Sequence, residues 1–385
     1  MPTFPATVRS RLPSVGTTIF TVMSQMAEAS GAINLSQGFP DFQADDALFE
    51  RVSHWMRAGA NQYAPMAGVP SLREAIVAKV EALYGARYDP QHEVTVVAGA
   101  TQGLFTAIAA MISPGDEVIV FEPVYDSYAP SIELQGGVVV RVALRAPDYR
   151  PDWSQVASLI NPRTRMIMIN SPHNPTATVW QADDLRALER LLRGTDIVVV
   201  SDEVYEHIVF DGRRHESVAR YPGLAERSFV VSSFGKTYHV TGWKVGHVLA
   251  PAALMAEFRK VHQFNVFTVA TPLQLALADY MSDPSRYLQL PDFYQSKRDQ
   301  FVSLMQASRF ELLPSAGTYF QLASYRRISD SPDTEFVRYL TQEAGVAAIP
   351  VSAFFADGRD DRVIRFCFAK NAETLATAAG RLAVL

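Results

Sequence analysis

Short apolar runs bounded by Gly, Pro, Asp or Asn recur through the middle of the chain: Val94 to Val97, Glu117 to Phe121, Val138 to Val142, Met166 to Ile169, Ile197 to Val200, Phe229 to Ser232 and Val245 to Ala250. Their lengths and boundaries predict strands. Segments of helical period lie between several of them, such as Leu104 to Ile112 and Leu185 to Leu192. Ahead of them, Ser71 to Leu83 has apolar residues at 72, 75, 76, 80 and 83, with Glu74 three positions after Ser71. That spacing predicts an amphipathic helix opened by a capping box. Continuous apolar runs alternating with helices predict strands buried on both faces, hence an α/β fold with a mostly parallel sheet sandwiched by helices.

The flanks have a different texture. The first forty residues read as an irregular arm with a helix around Phe20 to Ala29, ending in the turn-rich Gln37-Gly38-Phe39-Pro40-Asp41-Phe42. After about residue 285 the pattern becomes a long helical stretch, Pro291 to Ser308, then short strands around Tyr319 to Ala323 and Val363 to Phe368, and a closing helix from Ala372. These predict a smaller α+β unit joined through a hinge near Pro284.

Composition narrows the function classes. Apolar residues make up 48% of the 385 and charged ones 19%, which is globular rather than disordered. Thirty-five basic against 40 acidic residues, without a basic block, argue against a nucleic-acid partner. No run approaches the roughly 18 apolar residues of a membrane span, and Pro2, Pro5, Arg9, Arg11 and Pro13 interrupt the place of an export signal. The single cysteine, Cys367, excludes an intramolecular disulfide and fits a reducing compartment, so a cytoplasmic location is expected. The eight histidines show no metal-ligand spacing, and no metal is expected. Only six of the basic residues are lysines (79, 236, 244, 260, 297 and 370), so a lysine in an apolar setting stands out.

Three of the predicted strands end in polar clusters: Asn170-Ser171-Pro172-His173-Asn174-Pro175, Ser201-Asp202-Glu203-Val204-Tyr205 and Ser232-Ser233-Phe234-Gly235-Lys236. Open parallel sheets bind ligands beyond the carboxyl ends of their strands. A carboxylate can keep a pyridine nitrogen protonated, a lysine amine can condense with an aldehyde, and a phenol and an amide can hydrogen-bond a ring oxygen. That combination describes pyridoxal 5'-phosphate (PLP). Its phosphate has a candidate cradle in Ala98-Gly99-Ala100-Thr101-Gln102-Gly103, which follows a strand and opens a helix, with Ser233 and Lys244 as further donors.

Asn174-Pro175-Thr176, Ser201-Asp202-Glu203-Val204-Tyr205, Ser233-Phe234-Gly235-Lys236 and Gly242-Trp243-Lys244-Val245-Gly246 resemble, in order and spacing, the class I/II PLP aminotransferases of fold type I. The likeness runs from Ser36-Gln37-Gly38 through Asn61-Gln62-Tyr63 and Glu122-Pro123-Val124-Tyr125 to Ile364-Arg365-Phe366-Cys367-Phe368, and is strongest to the methionine and kynurenine aminotransferase (glutamine transaminase K) branch. It implies a large domain with a seven-stranded sheet over residues 45–285, a small α+β domain over 286–385, and an arm over 1–44 that joins the small domain and the dimer contacts. It also implies that Lys236 bonds the cofactor and shuttles the proton, that Asp202 pairs with the pyridine nitrogen, and that Tyr205 and Asn174 bind the ring oxygen. Tyr125 would stack on the ring. Ala100, Thr101, Ser233 and Lys244 would hold the phosphate, with Tyr63 contributed across a homodimer interface, and Gln102 counts among the cofactor-binding residues. Arg365 would clamp the substrate carboxylate beside Gly38 and Asn174. Ile19, Phe20, Tyr63, Phe267, Phe354 and Phe355 match or adjoin places where relatives line the side-chain pocket.

The partners implied are amino acids and 2-oxo acids. The segment Val261 to Pro272 contains no Arg or Lys, so aspartate is disfavoured, and methionine, aromatic amino acids, kynurenine or glutamine are expected. Three other readings stand beside transamination. A cysteine-conjugate β-lyase would use the same lysine and cofactor. Ser233-Phe234-Gly235-Lys236 fits the S-x-x-K of serine acyltransferases and hydrolases, although Glu203 and Tyr238 break the companion motifs. A non-enzymatic PLP-binding sensor would need a DNA-binding extension, and the first forty residues are short and weakly basic.

Overall fold

A computed structural model of the chain describes residue 4 and residues 6–385; residues 1–3 and 5 of the arm, Pro2 and Pro5 among them, lie outside the described residues. The central sheet has seven strands in the spatial order Val94–Val97, Gly246–Leu249, Ser228–Ser233, Val198–Asp202, Thr164–Asn170, Glu117–Glu122 and Val138–Ala143. Only Gly246–Leu249 runs against its neighbours. Interior strands are built from Val, Ile and Met because both faces are covered: every residue of Val198–Asp202 and of Glu117–Glu122 is buried. Each such aliphatic side chain contributes roughly 1.5–3 kcal/mol relative to exposure. At the sheet edge, Val138–Ala143 departs from the expectation of two buried faces, with Val138 49% exposed, because no strand flanks its outer side.

The helices follow the predicted stripes. Ala100–Met111 lays Leu104, Ala107 and Ile108 against Val97, Val231 and Val248 on one face of the sheet. The helix expected from Ser71 starts one residue earlier, at Pro70, and runs to Tyr84. Its N-cap is Val69, which has no capping side chain, so the expected capping box does not form. Pro70 occupies the first turn, where its missing N–H costs nothing, and the Val69 N–H is taken by Gln274 Oε1 at 2.8 Å.

Beyond the sheet, Phe320–Ser324 pairs antiparallel with Val363–Cys367 and with Glu311–Leu312, and Ile349–Pro350 pairs with the far side of Val363–Cys367. The N-terminal Ile33–Asn34 pairs in parallel with Val346–Ala347, so the start of the chain is stitched to its C-terminal part. This places Gly38 and Arg365 over the carboxyl ends of the central strands. Among the described residues no helix is long and apolar enough to cross a membrane.

Candidate active site

The three polar strand ends meet as the parallel topology requires. Asn170 ends Thr164–Asn170, Asp202 ends Val198–Asp202, and Ser233 ends Ser228–Ser233, with a single turn of helix, Phe234–Thr237, carrying Lys236 directly after it. All four residues line one cavity of about 280 Å³, together with Ala100, Thr101, Tyr125, Asn174, Tyr205 and Lys244. Phe20, Gly38 and Arg365 close it from the arm and the C-terminal sheet.

At one end of the cavity the backbone turns through Gly99, with φ +79° and ψ 163°, a conformation essentially restricted to glycine, and the helix starts at Ala100 without a side-chain cap. The first-turn N–H groups of such a helix have no helical acceptor, and Gly99, Ala100 and Thr101 line the cavity together with Ser233 and Lys244. Lys244 itself sits in the left-handed region, at φ 53°, and a Cβ at position 99 would lie 3.3 Å from its Nζ. Amide dipoles, hydroxyls and an ammonium gathered at one helix N-terminus suit a bound dianion.

In the middle of the cavity, Asp202 is buried, accepting from Tyr128 Oη at 2.6 Å and from the Val204 N–H at 3.2 Å. Burial outweighs these bonds and lifts its carboxyl to about 6. Lys236 is enclosed as well, and desolvation lowers its amine to about 8. Its Nζ donates to the Gly38 carbonyl oxygen at 3.1 Å and to Tyr319 Oη at 2.9 Å. Burial raises the Tyr205 phenol strongly and Tyr125 to about 12, so both stay protonated donors.

At the far end lies Arg365, 1% exposed although it sits mid-strand. Its guanidinium donates to Asn174 Oδ1 at 2.6 Å and to the Ser36 carbonyl oxygen at 3.0 Å, and packs 3.9 Å from the ring centre of Phe320, with Phe20 and Phe354 at 5.3 and 5.5 Å. Both polar partners are neutral, and Nε has no acceptor among the described residues. A buried cation in that state is costly until an anion joins it. Gly38 keeps the approach open, since a Cβ there would stand 2.8 Å from Phe320 Cζ.

Some expected residues lie elsewhere. The Gln102 side chain turns away, accepting from the Ala98 N–H at 2.9 Å while its amide faces Thr106 and His262. Tyr63 and Phe267 pair edge to face at 5.5 Å on the surface, 84% and 41% exposed. Ile19 packs at the start of its helix, half-buried against the core. The turn Val351–Phe354 points Phe354 toward Arg365, while Phe355 goes beneath Arg359. Tyr128, Tyr319 and Phe320 were not singled out by the sequence reading. Tyr128 opens the helix Tyr128–Leu134, and no sequence signal separates it from a packing aromatic. The S-x-x-K alternative lacks its working pair, because Lys236 addresses Gly38 and Tyr319 rather than the Ser233 hydroxyl.

Residues 30–382 match the family model for aminotransferase class I and II. The chain is 55% identical to the methionine aminotransferase of Escherichia coli over 98% of both chains, and superposes on that enzyme's crystal structure with a TM-score of 0.97, covering 99% of this chain and 100% of that one. It is 33% identical to kynurenine–oxoglutarate transaminase 1 of Rattus norvegicus, over 95% of each chain. The crystal structure of N-succinyldiaminopimelate aminotransferase from Mycobacterium tuberculosis superposes with a TM-score of 0.94 at 38% identity, covering 98% of this chain and 100% of that one. The fold-type-I architecture read from the sheet topology is therefore that of its relatives, and the chain belongs to the aminotransferase class I and II family.

Proposed function

We propose that the cavity binds pyridoxal phosphate together with an amino acid, and that methionine, or an aromatic or neutral amino acid such as kynurenine or glutamine, gives its amino group to a 2-oxo acid there. Enzymes of this family are PLP-dependent, and the donors present fit that group. The Gly99 turn, Thr101, Ser233 and Lys244 suit its phosphate; Asp202 suits the ring N–H; Tyr205 and Asn174 suit the ring oxygen; the Tyr125 ring offers a stacking face. The observation that carries the reading is Arg365, a buried guanidinium with neutral partners and a spare N–H, on the same cavity as a lysine whose amine burial has lowered to about 8.

When bound, pyridoxal phosphate supplies an aldehyde that bonds amines and a protonated ring that draws an electron pair from the substrate Cα–H bond. Arg365 and Asn174 grip the substrate carboxylate, and two anchor points decide which bond at Cα faces Lys236. The Lys236 amine, with a substantial neutral fraction near pH 7.5, takes the α-proton on Nζ. Asp202, held by Tyr128 and the Val204 N–H, keeps a proton on the ring nitrogen by accepting its hydrogen bond. The amino donor leaves as a 2-oxo acid before the acceptor enters, so the kinetics are ping-pong.

Phe20, Phe320 and Phe354 around Arg365 favour apolar side chains, and the relatives named for methionine and kynurenine support that choice. The pairing of Ile33–Asn34 with Val346–Ala347 supports grouping the arm over 1–44 with a small domain over 286–385, apart from a large domain over 45–285. The exposed Tyr63 and Phe267 support a homodimer in which Tyr63 reaches the other protomer's phosphate site. A cytoplasmic location accompanies this reading, on the strength of a free, buried Cys367. The test is the visible spectrum of the purified enzyme. Its band should shift on adding methionine without a 2-oxo acid, and Lys236→Ala should abolish both shift and turnover. In a donor panel, aspartate giving the highest kcat/KM would overturn the substrate assignment.

A further inference from the structure

Lys236 does not rest against the groups that flank it in sequence. Its Nζ reaches 83 positions along the chain to Tyr319, at 2.9 Å, and 198 back to the Gly38 carbonyl oxygen, at 3.1 Å. The Tyr319 hydroxyl in turn donates to that same carbonyl oxygen, so amine, phenol and carbonyl close a triangle. The triangle lies at the Arg365 end of the cavity: a Cβ on Gly38 would meet both the Phe320 ring that supports Arg365 and, at 3.4 Å, the Tyr319 ring.

Tyr319 is built as a fixed point. It is fully buried, and its ring is wedged among Tyr205, Phe320 and Tyr294 at centroid distances of 5.2, 5.0 and 5.7 Å. The preceding Thr318 takes a left-handed φ of 65°, its N–H bonded to the Ile208 carbonyl oxygen at 2.9 Å and its hydroxyl accepting from the Phe320 N–H at 3.1 Å. The lysine, on four rotatable methylenes, is the movable member of the pair.

We propose that Tyr319 is a positioning residue for the proton transfer, holding the free amine of Lys236 against Gly38, at the Arg365 end of the cavity, whenever the lysine is not bonded to the cofactor. The inference rests on the reading of Lys236 given above. Without an anchor, a long side chain released from its bond would sample several rotamers. With one, its lone pair stays beside the place where Arg365 sets the substrate α-carbon. The proton passes from that carbon to Nζ, and Tyr319 and Gly38 then accept hydrogen bonds from the ammonium. The other charged or titratable groups facing this amine are Asp202, Lys244, Arg365, Cys367 and the Tyr205 ring.

The test compares wild type with Tyr319→Phe and with Tyr294→Phe, all as full-length holoenzyme. Among the described residues Tyr294 Oη is buried without a partner, so its removal perturbs the same aromatic wall without touching Lys236. Each protein is treated with methionine in the absence of a 2-oxo acid, which frees Lys236, and is then desalted. Trace acetic anhydride labels it across a pH series, with Lys236 modification read by mass spectrometry. In Tyr319→Phe the ammonium loses an acceptor, so its apparent pKa should fall by about one unit, and kcat should drop about ten- to hundredfold with KM nearly unchanged. Tyr294→Phe should label like wild type. A Tyr319→Phe profile and kcat matching wild type, even with a lowered Tm, would reduce Tyr319 to packing and overturn the proposal. So would an equal shift in Tyr294→Phe. A wild type whose spectrum ignores methionine, or any other donor of the panel, would sink the parent reading and this one with it.

Discussion

Asp202 and Lys236 experience one cause with opposite signs. Burial disfavours whichever form is charged, so it raises the carboxyl to about 6 and lowers the amine to about 8. For Asp202 the folded value lies above the ordinary 3.8. A proton is therefore retained on folding, and the stabilisation it brings is complete below pH 3.8 and is lost as pH rises through about 6. The cofactor-free protein should lose about 3 kcal/mol of stability through this residue across that window. Asp202→Asn, which cannot ionise, should lack that share of the slope. Denaturant unfolding of both cofactor-free proteins between pH 4.5 and 7 measures it, and parallel stability profiles would show that Asp202 ionises freely. Adding pyridoxal phosphate should restore wild type at neutral pH more than the variant, because only the carboxylate matches a ring N–H by charge.

What decides a binding end of this cavity is an element junction, and the passage from Val97 into the helix at Ala100 is the sharpest one. Gly99 turns the chain at φ +79° with the Lys244 side chain against its bare Cα. In Gly99→Ala the new methyl would stand 3.2 Å from Lys244 Cε and 3.3 Å from Nζ, in a backbone region that alanine avoids. A stability loss of roughly 1–3 kcal/mol is expected from the backbone alone. A weaker grip on pyridoxal phosphate should accompany it, read from the dissociation constant by fluorescence titration. A variant that binds as tightly as wild type would remove the phosphate from this turn. Such junctions were legible in the sequence because strand, turn residue and helix follow one another within ten positions. The polar ends after Ile169, Val200 and Ser232 were legible for the same reason, as polar groups ending apolar runs. Tyr128 and Tyr319 were not, since each looks like an ordinary packing aromatic until a partner 74 or 83 residues away arrives. Gln102 misled for a local reason: its carbonyl serves the Ala98 N–H, a contact that only the coiling of the helix start brings within reach.

At the scale of the whole molecule, the aromatic residues divide into two populations. Most fill the core; of those that stand exposed, Phe4, Phe39, Phe293 and Tyr339 are scattered, whereas Tyr63 and Phe267, 84% and 41% exposed, touch each other, with Phe264, 85% exposed, three residues before Phe267. Large aromatics held on a surface lose the roughly 1.5–3 kcal/mol each that burial would return, and grouping marks a surface that another macromolecule covers. The homodimer proposed above would cover such a surface and account for Tyr63 as well, because a residue outside its own cavity can still serve a cavity of the other protomer. Two readouts are therefore tied together. Phe264→Asp should shift sedimentation from dimer toward monomer, since a desolvated charge would be set into the contact without altering the core. The same variant should lose cofactor affinity in proportion to the monomer formed, and raising protein concentration should recover both. Tyr63→Phe, which leaves the contact area intact, should remain dimeric and bind the cofactor more weakly by the share of one phosphate hydrogen bond, about 0.5–3 kcal/mol. A monomeric wild type with full activity would refute the shared site. A dimer whose cofactor affinity ignores Tyr63 would keep the assembly and leave each protomer to complete its own cavity.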